Sequence, residues 1–256
     1  MYCDAHIHLI DLAGRDPDFP ARFSASYLAC AASHAQDEYL ATEALKNKGL
    51  SFVTSFGMHP QWPVWDYADF LSELALSGRI AAIGEAGFDF FGDRPERIRN
   101  PENLRIQRAA FEYQLELAAR TGLPLLMHLR KAGDLLFEYS GRLAKLSAIV
   151  LHSCPCTAGE AAALLRRGVN AYFSFGAAIL NGHKNAIAAA AAVPASRLLS
   201  ETDAPWQPPH GTGFAYCRFE DIGSVVEGLA RIRALPAEAL IPQLEENFRK
   251  VYGLEE

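Results

Sequence analysis

The chain has 256 residues, half of them hydrophobic, and a formal net charge of −6. That length suits one (β/α)8 barrel with a single large core. The acidic balance excludes a broad basic surface for coating duplex DNA, though not a hydrolase whose bound divalent ions meet phosphates locally.

Short apolar runs alternate with segments of helical period along the whole chain. The first strand is Tyr2–His6 and the second Ser26–Ala31. A helix over Ala35–Lys48 follows and closes at Gly49, a residue suited to the left-handed position after a helix. Strand three, Ser51–Phe56, runs into Gly57-Met58-His59-Pro60. A helix from Asp66 to Ser77 leads to strand four, Ile80–Glu85, and then to an arginine-bearing loop, Asp93–Asn100. Pro101 opens a strong helix to Arg120. Strand five is Leu123–His128, helix five Ala132–Lys145, strand six Ala148–His152 and helix six Ala158–Arg167. Strand seven is Asn170–Phe175, followed by an alanine-rich helix over Ala186–Ala192 that Pro194 ends. Strand eight is Leu198–Thr202, and the helices Ile222–Ala234 and Pro236–Tyr252 finish the chain.

Eight strands alternating with helices imply a parallel sheet. The number matches a closed α/β barrel, a single TIM-type (β/α)8 domain over residues 1–256 with an extra C-terminal helix. An open dinucleotide-binding sheet is the runner-up, but no Gly-x-Gly-x-x-Gly follows strand one.

In such a barrel, reactive groups sit at the C-terminal ends of the strands. Those ends carry His6 and His8 on strand one, His59 after three, Glu85 on four, His128 on five, His152 on six and Asp203 after eight. His6 and His8, two apart in an extended strand, point to one side and can aim two imidazoles at one point. Burying these histidines and carboxylates together without a cation would be costly. Six ligands would nearly saturate one catalytic zinc, whereas two ions about 4 Å apart leave room for substrate. Glu85, central in strand order, is the natural bridge. Asp203 can bind metal and take the proton of the attacking water. The expected cofactors are therefore two divalent ions, drawn from zinc, manganese, magnesium or nickel.

Arg130, two residues beyond His128, is the best candidate for holding a phosphate oxygen bidentately, and His59 can do likewise or act on the leaving group. Trp62, Trp65, Phe88, Phe90, Phe91 and Trp206 crowd the same rim and could stack unpaired bases or simply pack the loops. The arginines at 94, 97, 99, 105 and 108 fit a phosphate grip or a solvated helical face with ion pairs. Cys154 and Cys156 are candidates for a soft extra ligand pair, and His34, His183 and His210 for surface or packing residues. The five cysteines are odd in number and irregularly spaced, so no disulfide framework is implied and a reducing compartment fits. A cleavable leader would remove ligands that begin at residue 6, so the expected location is the cytoplasm, with no membrane span and no obligate protein partner.

The motifs Asp4-Ala5-His6-Ile7-His8, Gly57-Met58-His59-Pro60, Gly84-Glu85-Ala86-Gly87-Phe88-Asp89, Gln107 to Gln114, Leu123–Arg130, Leu151–Cys154, Leu198–Trp206 and Asn247–Gly253 come in one order across nearly the whole chain. In them the sequence resembles the TatD family of metal-dependent deoxyribonucleases, within the amidohydrolase-like barrels. The resemblance implies that His6, His8 and Asp203 hold one ion, His128 and His152 the other, and Glu85 both. It implies DNA as substrate, met as single-stranded ends and cut from the 3′ side. Two departures bear on substrate recognition: Lys131 stands where the family typically has an aspartate, and Gln207–Cys217 lacks its usual arginine and asparagine. The alternatives are a metal-dependent small-molecule phosphoesterase or amidohydrolase, and a non-catalytic binding protein on the same fold.

Overall fold

A computed structural model describes residues 1–23 and 26–254. Eight parallel strands lie side by side in chain order: β1 Tyr2–Ile7, β2 Tyr27–Ser33, β3 Phe52–Phe56, β4 Ala82–Asp89, β5 Leu125–Arg130, β6 Ile149–Leu151, β7 Ala171–Phe175 and β8 Leu198–Ser200. The intervening helices are α1 Leu9–Arg15, α2 Phe19–Arg22, α3 Gln36–Ala44, α4 Ala68–Leu76, α5 Pro101–Thr121, α6 Gly133–Glu138, α7 Ser140–Leu143, α8 Ala158–Arg166, α9 Lys184–Ala192 and α10 Ile222–Ile232, with α11 Ala237–Val251 after them. The eight-stranded α/β barrel expected from the alternation is present. The helix expected over Ala132–Lys145 is instead two short ones, α6 and α7, meeting at Tyr139, where the Ser140 hydroxyl donates to the Phe137 carbonyl (2.7 Å).

Backbone pairing runs continuously from β1 to β8. At the seam between β8 and β1, Asp203 N–H donates to the His6 carbonyl (3.0 Å) and His8 N–H to the Ala204 carbonyl (2.9 Å). The fully buried Asp4 carboxylate reinforces the seam, accepting from Thr202 N–H (2.9 Å), the Thr202 hydroxyl and the Tyr27 hydroxyl (2.6 Å). Burial pushes this acid up to about 7, against the pull of those donors.

At the opposite end from the reactive side chains, α11 forms a floor. Phe248, Val251 and Tyr252 pack against Cys3, Ala5, Ala82, Leu126 and Leu199 inside the barrel, and Tyr252 donates to the Ala5 carbonyl (2.7 Å). Two larger apolar layers fill the space between strands and helices.

Two strands carry register shifts, β1 between Asp4 and Ile7 and β4 between Ile83 and Ala86. An inserted residue re-aims the side chains around it. On β4, Ala82 faces the barrel interior while Ile83, Ala86 and Phe88 face the outer core, so the shift turns Glu85 inward out of strict alternation. The strands that carry the bulges are the ones that supply His6 and the central glutamate, with His8 just past the end of β1 as the N-cap residue of α1.

Candidate metal centre

The six residues expected as ligands converge at the C-terminal mouth of the barrel, all buried. Glu85 is the hub. Its Oε2 lies 3.4 Å from both His6 Nε2 and His8 Nε2, and its Oε1 lies 3.0 Å from His128 Nδ1 and 3.1 Å from His152 Nε2. On the first side, the His6 and His8 Nε2 atoms are 3.1 Å apart, and Asp203 Oδ1 is 3.4 and 3.5 Å from them. On the second, His128 Nδ1 and His152 Nε2 are 3.1 Å apart.

These spacings suit cations. Donor atoms bound at about 2.1 Å in tetrahedral geometry sit about 3.4 Å from one another. The distances of Glu85 Oε2 and Asp203 Oδ1 to the His6–His8 pair, and those within the three-atom set around His128, lie near that spacing, and the Glu85 carboxylate turns one oxygen to each side. The tautomer of His128 agrees: its Nε2 donates to Asp89 Oδ2 (2.9 Å), leaving the Nδ1 lone pair to face Glu85. Two lone-pair donors aimed at each other need positive charge between them.

The protonation balance has the same origin. Burial alone would neutralise Glu85, yet His6 and His152, with the His128 contact, hold it well below the usual carboxylate range. Asp203 is likewise held low, burial being outweighed by His6 and His8. His6 and His152 move the other way. Burial opposes their charge, but Glu85 and Asp203 hold His6 well above its ordinary value, and Glu85 and Glu201 lift His152 to about 9. The raised imidazoles favour the positive charge that two anionic carboxylates call for, a charge that divalent ions bound at the same atoms would supply in place of protons.

His59 differs from the rest. Burial drops its imidazole to about 3, so it is neutral, and its Nδ1 accepts from Gln61 N–H (3.2 Å). The proton therefore sits on Nε2, 3.6 Å from Glu85 Oε1, where it can be donated to a ligand in the mouth. The helix α5 fixes this corner from behind. Its Asn100 caps it by accepting from Asn103 N–H, and its buried face presents two glutamines a double turn apart. Gln114 pairs with both backbone groups of Met58 next to His59, and Gln107 with both of Asp89.

A cavity of about 450 Å³ opens over the cluster, walled by Arg94, Arg97, Arg130, Phe91, Trp62 and Trp206 among others. Among the described residues the Arg130 guanidinium has no acidic partner and lies over the face of Phe91 (5.9 Å to the ring centre). Arg97, Arg99, Arg105 and Arg108 pair with Asp89 and Asp93, Asp134, Glu102 and Glu138, so for these the ion-pair alternative is the one realised. Cys154 and Cys156 are buried in the apolar layer, and none of the ligand-type clusters among the described residues includes them.

The family model of TatD-related DNases matches residues 3–253. The chain belongs to the TatD family. A protein of Erwinia billingiae named 3′-5′ ssDNA/RNA exonuclease TatD is 33% identical over 224 residues, 82% of this chain and 81% of that one. One of Mycobacterium tuberculosis named uncharacterized metal-dependent hydrolase TatD is 30% identical over 191 residues, 72% of this chain and 69% of its own. In fold, the TatD homologue YJJV of Escherichia coli superposes with a TM-score of 0.85 at 23% identity, covering 99% of this chain and 98% of that one. As a TatD-family protein, the chain is a metal-dependent hydrolase acting on ester bonds.

Three residues join the TatD site that the sequence alone had not assigned to it. His34, expected at the surface or in packing, points Nε2 at Glu85 Oε2 (3.1 Å) and Nδ1 at the Gly57 carbonyl (3.2 Å). Glu201 lies behind His152, its Oε1 3.7 Å from Nδ1 and accepting from Ser153 N–H. Asp89 grips the far nitrogen of His128 and is itself clamped by Arg97, Nε to Oδ1 (2.9 Å) and Nη2 to Oδ2 (2.8 Å). A carboxylate in this place orients a metal-binding imidazole and raises its basicity. Asp89→Asn is therefore expected to weaken metal retention about 10- to 100-fold while leaving the barrel folded, as titration with a competing chelator would measure.

Proposed function

We propose that the protein is a two-metal exonuclease that removes nucleotides from the 3′ end of single-stranded DNA. The observation that carries this is the pair of donor sets around Glu85, with His6 and His8 on one oxygen, Asp203 beside that histidine pair, and His128 and His152 on the other oxygen. The names of the relatives support the polarity and the single strand. Bound there, two divalent ions would supply positive charge to the scissile phosphate and the departing oxygen and lower the pKa of the attacking water.

The chain's own groups do the rest. Asp203 presents Oδ1 toward His6 and His8, while its Oδ2, held by the Gln207 amide (2.6 Å), takes the proton of the attacking water. His59 donates from Nε2 to a phosphate oxygen, and Arg130 holds another in its planar fork. The exposed rings of Trp62, Phe91 and Trp206 at the rim stack unpaired bases, which a duplex end would first have to release.

Chelator-stripped protein, re-supplied in turn with magnesium, manganese, zinc or nickel, should shorten a single-stranded oligonucleotide with at least one of them and lose a 3′ label before a 5′ label. No shortening with any ion, in protein that still binds metal stoichiometrically, would replace DNA by a small ester or amide as the substrate.

A further inference from the structure

A second cavity, of about 430 Å³, lies beside the first and shares Arg130 and Gln207 with it as a common wall. The rest of its lining includes Lys131, Ser153, His183 and Lys184, and no aspartate or glutamate. That is notable in a chain whose formal charge is −6. Along the neighbouring loop and helix α5 each paired arginine has its own carboxylate, from Arg97 with Asp89 to Arg108 with Glu138.

Around the second cavity the balance is different. Among the described residues, the side chains of Arg130, His183 and Lys184 have no hydrogen-bonded or acidic partner, and the Lys131 ammonium donates only to the Phe91 carbonyl (2.8 Å). Like charges gathered without acids repel one another and favour an anion between them. The position also matters. Arg130 stands between the two cavities, so an anion in the second would be continuous with a phosphate held over the metal centre. Lys131, one of the two departures from the family pattern, adds a cation to this wall.

We propose that this cavity is a second phosphate subsite, which takes the backbone phosphate next to the scissile one and so sets the path of the strand away from the metal centre. The proposal rests on the nuclease function above. It makes the protein a polymer-reading enzyme, with KM falling once a substrate carries a second phosphate.

The test compares a twelve-nucleotide oligothymidylate with bis(p-nitrophenyl) phosphate, a diester with no second phosphate, using the metal-loaded enzyme and the variants Lys184→Glu and Lys131→Gln. Lys184 is exposed, so its substitution leaves the fold intact. The expected result is a KM for the oligonucleotide raised about tenfold by Lys184→Glu and severalfold by Lys131→Gln, with a shallower salt dependence. Turnover of the small diester should change less than twofold. Unchanged oligonucleotide KM in both variants would overturn the subsite. So would an equal loss on both substrates, which would make these residues supports of the metal centre. A wild-type enzyme that cleaves the small diester but never shortens the oligonucleotide would instead remove the nuclease function itself, and the subsite with it.

Discussion

Glu85→Gln should lower kcat by about 10³-fold or more and reduce the equivalents of divalent metal that the protein retains. The reason lies in how both donor sets depend on one carboxylate. Oε2 closes the set around His6 and His8, and Oε1 closes the set around His128 and His152. An amide keeps the volume but offers one oxygen, and its NH2 group would face the lone pairs of a histidine pair. Lewis-acid stabilisation of a phosphoryl transition state is worth several kcal/mol, and each ~1.4 kcal/mol is tenfold in rate. Metal content by mass spectrometry and cleavage of labelled single-stranded DNA check the two halves separately. Loss of activity with the wild-type metal content retained would make Glu85 a proton-handling group and not a metal ligand. Full activity would refute its placement at the centre of the site.

The barrel and the six converging residues were legible because both depend on simple periodicities. Strand and helix alternate along the chain, and in a parallel barrel the C-terminal ends of all strands meet at one mouth. What escaped depends on where strands stop. β2 runs to Ser33, two residues beyond its expected end, and that extension places His34 at the mouth beside Glu85. β4 likewise continues past Glu85 to Asp89, so a residue read only as part of a motif becomes the partner of His128. β8 is shorter than expected, ending at Ser200, which leaves Glu201 free to stand behind His152.

The bulges in β1 and β4 have no periodic signature, since an inserted residue is defined only by the strand it pairs with. The short helices α1 and α2 went unseen for a related reason, being too brief for a 3.6-residue period to emerge. Pairing of the arginines was open in the sequence because Asp134 and Glu138, which hold Arg99 and Arg108, are about thirty residues away in the chain. Arg130, by contrast, keeps its charge free toward the cavity.

The sharpest dependence of site on backbone is at Gly87, and Gly87→Ala is expected to cost about 3–5 kcal/mol of stability, combining left-sided backbone strain with overpacking. Gly87 has φ +143°, a conformation that an L side chain rarely adopts, and it pairs directly with His128 across β4 and β5. A Cβ at this point would run into the His128 carbonyl oxygen, which is backbone and has no rotamer by which to yield. The strands must therefore part, and His128 would be drawn from both Glu85 and Asp89. For a chain of this size the cost corresponds to a melting temperature lower by about 10 °C, as thermal unfolding monitored by circular dichroism would record. Metal binding should weaken as well, because the contacts of His128 Nδ1 at 3.0 Å and Nε2 at 2.9 Å depend on the strand spacing that the glycine permits. An unchanged melting temperature would mean that β4 and β5 have slack at this register, and that the glycine is not what fixes His128.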